Sequence, residues 1–297
     1  MKYHLVAFLT VVVWGSTFVF TKLLLLNGLS PAQIFTLRFI IAYVLLLCFS
    51  LVKGRVRWVA DSWKDELMLL LLGVTGGSLY FLTENEALNY TTTTNVSLIV
   101  CSCPLVAALL IGLFYKSERL RPVQTVGMLM AVCGVTVVVL NGHFVLHLSP
   151  LGDSLALAAC LCWAVYSLLM IPANNRYDAV FITRKVFFYG LLTIIPYYFY
   201  EPDWPSFEVL LRPQVAANLL FLGVVASCIC FLVWTWVMDK LGAVVATNYV
   251  YVNPLSTIVI ASLVLNEQIT VFFLTGTVLI LTGMYLADKK KSSTVSE

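Results

Sequence analysis

Charge is scarce in this chain. Asp, Glu, Lys and Arg make up 11% of its 297 residues against 61% hydrophobic ones, and the mean hydropathy is +0.94. A water-soluble domain must cover itself with polar groups, so this composition excludes an ordinary soluble globular protein. Histidine is almost missing: His4, His143 and His147 are the only three, all near loops or ends. The chain also lacks a G-x-S-x-G elbow, an H-E-x-x-H helix and a Gly-rich phosphate loop. An enzyme is therefore not expected, and ATP is excluded as a direct energy source. No ring-like selectivity filter argues for a channel. No nucleic-acid partner and no cofactor are expected, although coupling to a proton or another ion stays open.

Cysteine is present but not where a disulfide framework needs it. All eight cysteines fall in apolar runs, and three pairs are spaced i, i+2. On a helix that spacing turns the side chains about 200° apart, too far to share a metal. They read as small buried hydrophobes.

Long hydrophobic runs dominate the rest. Crossing a bilayer takes about 20 apolar residues per helix. Ten such runs are predicted, at 5–27, 31–51, 66–88, 92–115, 121–141, 151–171, 180–200, 215–238, 243–265 and 270–287. The first is too long for a signal-peptide core and lacks a small-x-small cleavage site, so it is expected to be retained. Asn27-Gly28, Asn141-Gly142, Ser149-Pro150, Pro202 with Pro205, and Gly242 punctuate the breaks. The expected fold is an all-α polytopic membrane protein, placed in the cell membrane and most simply in a bacterial inner membrane. Its expected partners are the lipid bilayer and a small-molecule substrate, in a monomer or weak dimer.

The basic residues orient these spans. With the N-terminus in the cytoplasm, the even-numbered loops and both termini hold 13 Lys and Arg, while the odd loops hold Arg212 alone. Cytoplasmic loops carry the excess of positive charge, so both termini are predicted to be cytoplasmic.

The two halves of the chain also resemble each other. Pro104 matches Pro254, Glu118 matches Glu267, Gly127 matches Gly276, Gly134 matches Gly283 and Trp14 matches Trp163, at offsets of 149 to 150 residues. Five spans per half is an odd number, so equivalent helices must cross in opposite directions. The predicted organisation is a first five-helix repeat at 1–141, a second, inverted one at 142–288, and a basic cytoplasmic tail at 289–297. Inverted repeats are a mark of secondary transporters, which alternate access around a site at the repeat interface.

The same residues carry a family resemblance. WGSTFVFTK in the first span, LRF at Leu37 to Phe39, A-L-x-Y-T from Ala87, and the spacing from Pro104 through Glu118 to Gly134 resemble the drug/metabolite transporter superfamily, EamA type. The resemblance covers nearly the whole chain. It implies a ten-helix bundle with a central cavity lined mainly by spans 1, 3, 4, 6, 8 and 9. It also implies transport of amino acids, nucleosides, drugs or other small metabolites, often outward.

Ionisable groups inside spans are expensive, so each is a candidate by default. Lys22, Arg38, Glu84, Arg184 and Lys185 lie at some depth. In the third span Gly73, Gly77, Tyr80, Glu84 and Ala87 form one stripe of small and polar residues, which should face the bundle. Glu86 lies about 200° around the helix from Glu84, so the two cannot work as a paired-carboxylate site. Glu84 either forms a structural ion pair with Arg38 or Lys22, or holds a substrate amine or coupling proton. Lys22, Arg184 and Lys185 are expected to snorkel to the headgroups. The further candidate substrate-binding residues are Trp14, Thr17, Tyr80, Asn95, Trp163, Tyr166, Asn248 and Tyr249. Asn253 belongs to the same aromatic and amide set. The block of threonines at 91–94 is expected to cap the start of the fourth span.

Overall fold

The computed structural model of the chain describes residues 2–54, 56–90, 96, 99–116, 120–140, 149–265 and 271–287. These residues are helical almost throughout, with no strand among them. We label the segments α1 (Lys2–Leu26), α2 (Pro31–Val52), α3 (Trp63–Tyr90), α4 (Cys103–Phe114), α5 (Pro122–Leu140), α6 (Pro150–Asn174), α7 (Ala179–Phe199) and α8 (Pro213–Leu241). Then come α9, which runs through Ala243–Asn248, Tyr249–Val252 and Asn253–Leu265, and α10 (Val271–Ala287). Six of them, α1, α2, α3, α6, α7 and α8, are long and apolar enough to cross a membrane. The third span starts earlier than its hydropathy suggests, at Trp63, because Ser62 caps it by accepting from the Asp65 amide.

Capping chemistry explains the helix ends. Ser30 accepts from the Gln33 amide while the Gln33 side chain takes the Ser30 N–H, and Pro31 opens the helix where its missing N–H costs nothing. Gly242, at φ +84°, ends α8, its N–H reaching the Met238 carbonyl at 3.0 Å. Large apolar side chains point outward along the helices, among them Leu45, Leu113 and Val278. In water that surface would associate; in a bilayer it is the solvent-matched face.

The packing partners are reciprocal between the halves. α1 packs on α9 as α6 packs on α4; α1 on α8 as α6 on α3; α2 on α8 as α7 on α3. α5 pairs with its own counterpart, α10, through close backbone approach. A Cβ at Gly127 would lie 2.6 Å from the Gly283 carbonyl oxygen, and one at Gly134 would lie 2.8 Å from that of Gly276. Only glycine lets the helices come so near. Each of these pairs maps onto the other when the halves are exchanged.

Backbone irregularities recur at matching depths too. α3 contains a π-helical turn at Val74–Ser78, with Gly77 at φ −126° and ψ −107°, and α8 contains a longer one at Phe221–Ile229. α4 begins at Cys103 after a turn at residues 101–102, and α9 passes through a 3-10 turn, Tyr249–Val252, just before Asn253. Each break precedes the proline of its half, Pro104 or Pro254. Non-helical backbone at membrane depth is tolerated where protein or a cavity covers it, and π-turns inside helices frequently mark functional sites.

Candidate functional site

These four irregular helices converge on one cavity, of about 50 Å³. α1 supplies Trp14, Thr17 and Phe18, α2 supplies Arg38, and α3 supplies Tyr80, Phe81 and Glu84. Val100 and Cys103 come from the α4 side, Val250 and Asn253 from α9, and Trp163 and Phe231 complete the wall. Trp14 and Trp163, Phe81 and Phe231, Val100 and Val250, and Cys103 and Asn253 are repeat-equivalent pairs. The wall is thus nearly symmetric, and its charge is not. Arg38 and Glu84 both belong to the first half, whereas the residue matching Glu84 at the same offset is the fully buried Trp234.

The polar groups have specific settings. Tyr80 donates its hydroxyl to Glu84 Oε1 at 2.7 Å, one turn away on α3. Arg38 donates Nε to Ser227 Oγ, at 2.8 Å, in the π-helical stretch of α8, and its guanidinium lies 4.6 Å from the Phe81 ring centroid. Both charged residues are buried, at 3% and 7% exposure for Arg38 and Glu84. Among the described residues no ion pair joins Glu84 to Arg38 or Lys22. Lys22 is exposed, as snorkelling requires. Trp14 donates Nε1 to the Ala226 carbonyl at 2.9 Å and packs on Trp163, Phe231 and Trp234. Thr17 donates to the Trp14 carbonyl at 2.7 Å. Two buried atoms of lining residues have no hydrogen-bond partner, the donor Trp163 Nε1 and the acceptor Asn253 Oδ1. A buried polar atom left unpaired costs about 1–3 kcal/mol, so a rearrangement that gave either a partner would be favoured.

Six of the ten sequence candidates are therefore brought together: Trp14, Thr17, Arg38, Tyr80, Glu84 and Trp163. Three stand outside the lining. Tyr166 stacks behind Trp163, with centroids 5.2 Å apart, and its ring fills the space against Gly76. Asn248 is buried on α9, with neither side-chain amide atom hydrogen-bonded. The Tyr249 hydroxyl lies 2.7 Å from His4 Nδ1, in the first turn of α1. Asn95, Ser97, the threonines at 91–94, Glu118, Glu267, His143 and His147 lie outside the described residues. Hydropathy reading missed Phe18, Phe81, Cys103 and Phe231, since an aromatic or thiol inside an apolar run carries no signal of its own. The repeat offset pairing Phe81 with Phe231 was the available clue.

Arg184 and Lys185 do not snorkel. Both are buried, at 4% and 7% exposure. Lys185 pairs with Glu66 of α3, which also accepts from the Tyr189 hydroxyl at 2.5 Å and from the Ala60 amide at 3.0 Å. Beside it Arg176 pairs with Asp65, and the Tyr177 hydroxyl donates to Asp65 Oδ2 at 3.0 Å. Burial holds the Tyr177 phenol above its ordinary pKa, with the Asp61 amide opposing and Asp65 adding to that shift. α3 thus supplies Lys185 and Arg176 with carboxylate partners, and the Arg57 carbonyl, in the segment before α3, accepts from Arg184. Among the described residues no three His, Cys, Asp or Glu side chains gather as a metal ion would need.

An all-helical bundle with lipid-matched faces and a buried, charged, aromatic-walled cavity between broken helices defines a multi-pass membrane transporter. The chain belongs to the EamA-like transporter family, whose model matches twice, at residues 1–140 and 150–287. An uncharacterized transporter of Archaeoglobus fulgidus is 30% identical over 98% of both chains. A probable amino-acid metabolite efflux pump of Escherichia coli is 26% identical over 96% of this chain and 94% of its own. A probable terminal-alkyne amino-acid exporter of Streptantibioticus cattleyicolor is 24% identical over 95% and 92%. A solved crystal structure shares the fold with a TM-score of 0.76 at 18% identity, over 97% of this chain and 98% of that one.

Proposed function

We propose that this transporter exports amino acids or closely related small solutes or drugs by alternating access around the cavity. The composition of the cavity lining carries the substrate class. A carboxylate, Glu84, and a guanidinium, Arg38, line one cavity together with the rings of Trp14, Phe81, Trp163 and Phe231. That set suits a zwitterion with an apolar side chain: Arg38 for its carboxylate, Glu84 for its ammonium, the rings for the remainder. The amino-acid exporters among the relatives support the same class.

At about 50 Å³ the cavity is far smaller than the ~300 Å³ or more of a typical ligand pocket. In this reading the cavity widens to admit substrate when the halves rock apart. Ten spans in two inverted repeats, 1–141 and 142–288, with both termini and the tail at 289–297 in the cytoplasm, account for the reciprocal helix pairs and the one-sided basic charge. Glu84 is the group through which a proton would couple to transport, and a monomer or weak dimer is the working unit. Chemistry on the substrate forms no part of this reading. Counterflow of labelled amino acids into proteoliposomes preloaded with the same solute tests it. Saturable counterflow is expected, and its absence for every candidate solute rejects the carrier reading.

A further inference from the structure

A second pocket, of about 600 Å³, lies between the last turn of α2 and the first turns of α7, away from the central cavity. Its cations are Lys53, Arg57 and Arg184, and its acid is Asp178. Asp178 is already engaged: its Oδ1 accepts the amides of Val180 and Phe181 at 3.0 and 3.1 Å, capping α7. Arg57 shares its charge with Asp61, which is 71% exposed at the side chain, and lies 5.2 Å from the Phe181 ring. Arg184 is buried, held by the Arg57 carbonyl and stacked 5.6 Å from the Trp58 ring. Lys53 is exposed, its ammonium 5.9 Å from the Phe49 ring. The pocket is thus positive and one wall, Phe49 and Phe181, is apolar.

The apolar wall continues along both helices. Leu45, Phe49 and Val52 repeat on α2 at i, i+4 and i+7, and Phe188 and Leu192 follow Arg184 on α7 by one and two turns. All five are exposed, Val52 to 87%. A free phosphate would need the cations but has no use for this apolar track, and about 600 Å³ is generous for it. A headgroup with acyl chains uses both. We propose that this pocket seats the phosphate of an anionic phospholipid, with its chains lying along the exposed faces of α2 and α7. Basic pockets between transmembrane helices are suited to such headgroups. The inference needs only the bilayer, not the transport reading.

Native mass spectrometry of the detergent-purified full chain tests it, with dioleoyl phosphatidylglycerol, dioleoyl phosphatidylcholine and sn-glycerol 1-phosphate as probes. Phosphatidylglycerol should bind about tenfold more tightly than phosphatidylcholine, and Lys53→Gln should lose about fivefold of that preference, the scale of one surface cation. Lys53 is exposed, so this variant keeps its fold, and Lys240→Gln, at another exposed lysine, should change nothing. Equal binding of the two lipids overturns the proposal, as does an equal effect of the two lysine variants. Displacement of bound phosphatidylglycerol by equimolar glycerol phosphate also overturns it, moving the occupant to a soluble phosphate ester.

Discussion

Trp14 and Trp163, at equivalent positions of the two halves, meet edge to face in the cavity wall with ring centroids 5.6 Å apart at 88°. Their indole N–H groups differ. Trp14 Nε1 is bonded to the Ala226 carbonyl, and Trp163 Nε1 has no partner. Trp14→Phe should therefore cost about 1 kcal/mol of stability, the net value of a buried hydrogen bond. Trp163→Phe breaks no hydrogen bond, so it should cost only the packing of the lost ring and should raise the KM for counterflow. An unchanged KM would remove the Trp163 N–H from the binding site.

Glu84 and Tyr80 should separate in the same way. Glu84→Gln keeps the volume and a carbonyl acceptor for Tyr80 but loses the charge, so transport or its pH dependence should disappear while membrane expression persists. Tyr80→Phe removes only the donor and should weaken transport by less than tenfold, about one hydrogen bond's worth. Wild-type transport by Glu84→Gln sinks the assignment.

The Glu66–Lys185 pair ties α3 to α7 with side chains only 14% and 8% exposed. Breaking one partner leaves a buried charge alone, at a cost of about 3–5 kcal/mol. Glu66→Gln should thus melt well below the wild type. Glu66→Met combined with Lys185→Met should recover most of the loss, because two apolar side chains need no partner. If the double variant melts as low as the single, the pair is not the reason.

Gly127 and Gly134 leave no room for a side chain against α10. Gly134→Leu should cost at least the ~1–3 kcal/mol typical of overpacking and shift the protein from a single peak to aggregate on size exclusion. Leu substituted at the lipid-facing Val126 is the control, and equal behaviour of the two would refute close packing as the role of Gly134.

Several features were legible before any fold was known. Arg38 and Glu84 were marked by the cost of charge in an apolar run, and Trp14 with Trp163 by the repeat offset. Hydropathy located the six long apolar helices to within a few residues of their ends, whereas the run expected at 92–115 is met by a described helix only from Cys103. Lys185 was misjudged, because a period tells which face of its own helix a residue occupies and nothing about what stands opposite. Tyr249 belongs to the right helix, but its hydroxyl meets His4, a contact across 245 positions that spacing along the chain cannot show. The π-turn in α3 acts likewise: it inserts extra backbone at Gly77, so Gly73 and Gly77 pack on α7 while Tyr80 and Glu84 face the cavity.

Composition and spacing by themselves determined that this is a membrane protein of many apolar helices, with matching residues 149 to 150 positions apart and a few costly charges inside. Those properties are local sums along the chain, so they survive without coordinates. Which charges are partnered, which aromatic rings share a wall and how small the cavity has become were decided only by the tertiary structure. They depend on contacts between residues far apart in the chain, 119 positions for Lys185 and Glu66 and 189 for Arg38 and Ser227, and on backbone breaks that rotate one part of a helix against the next.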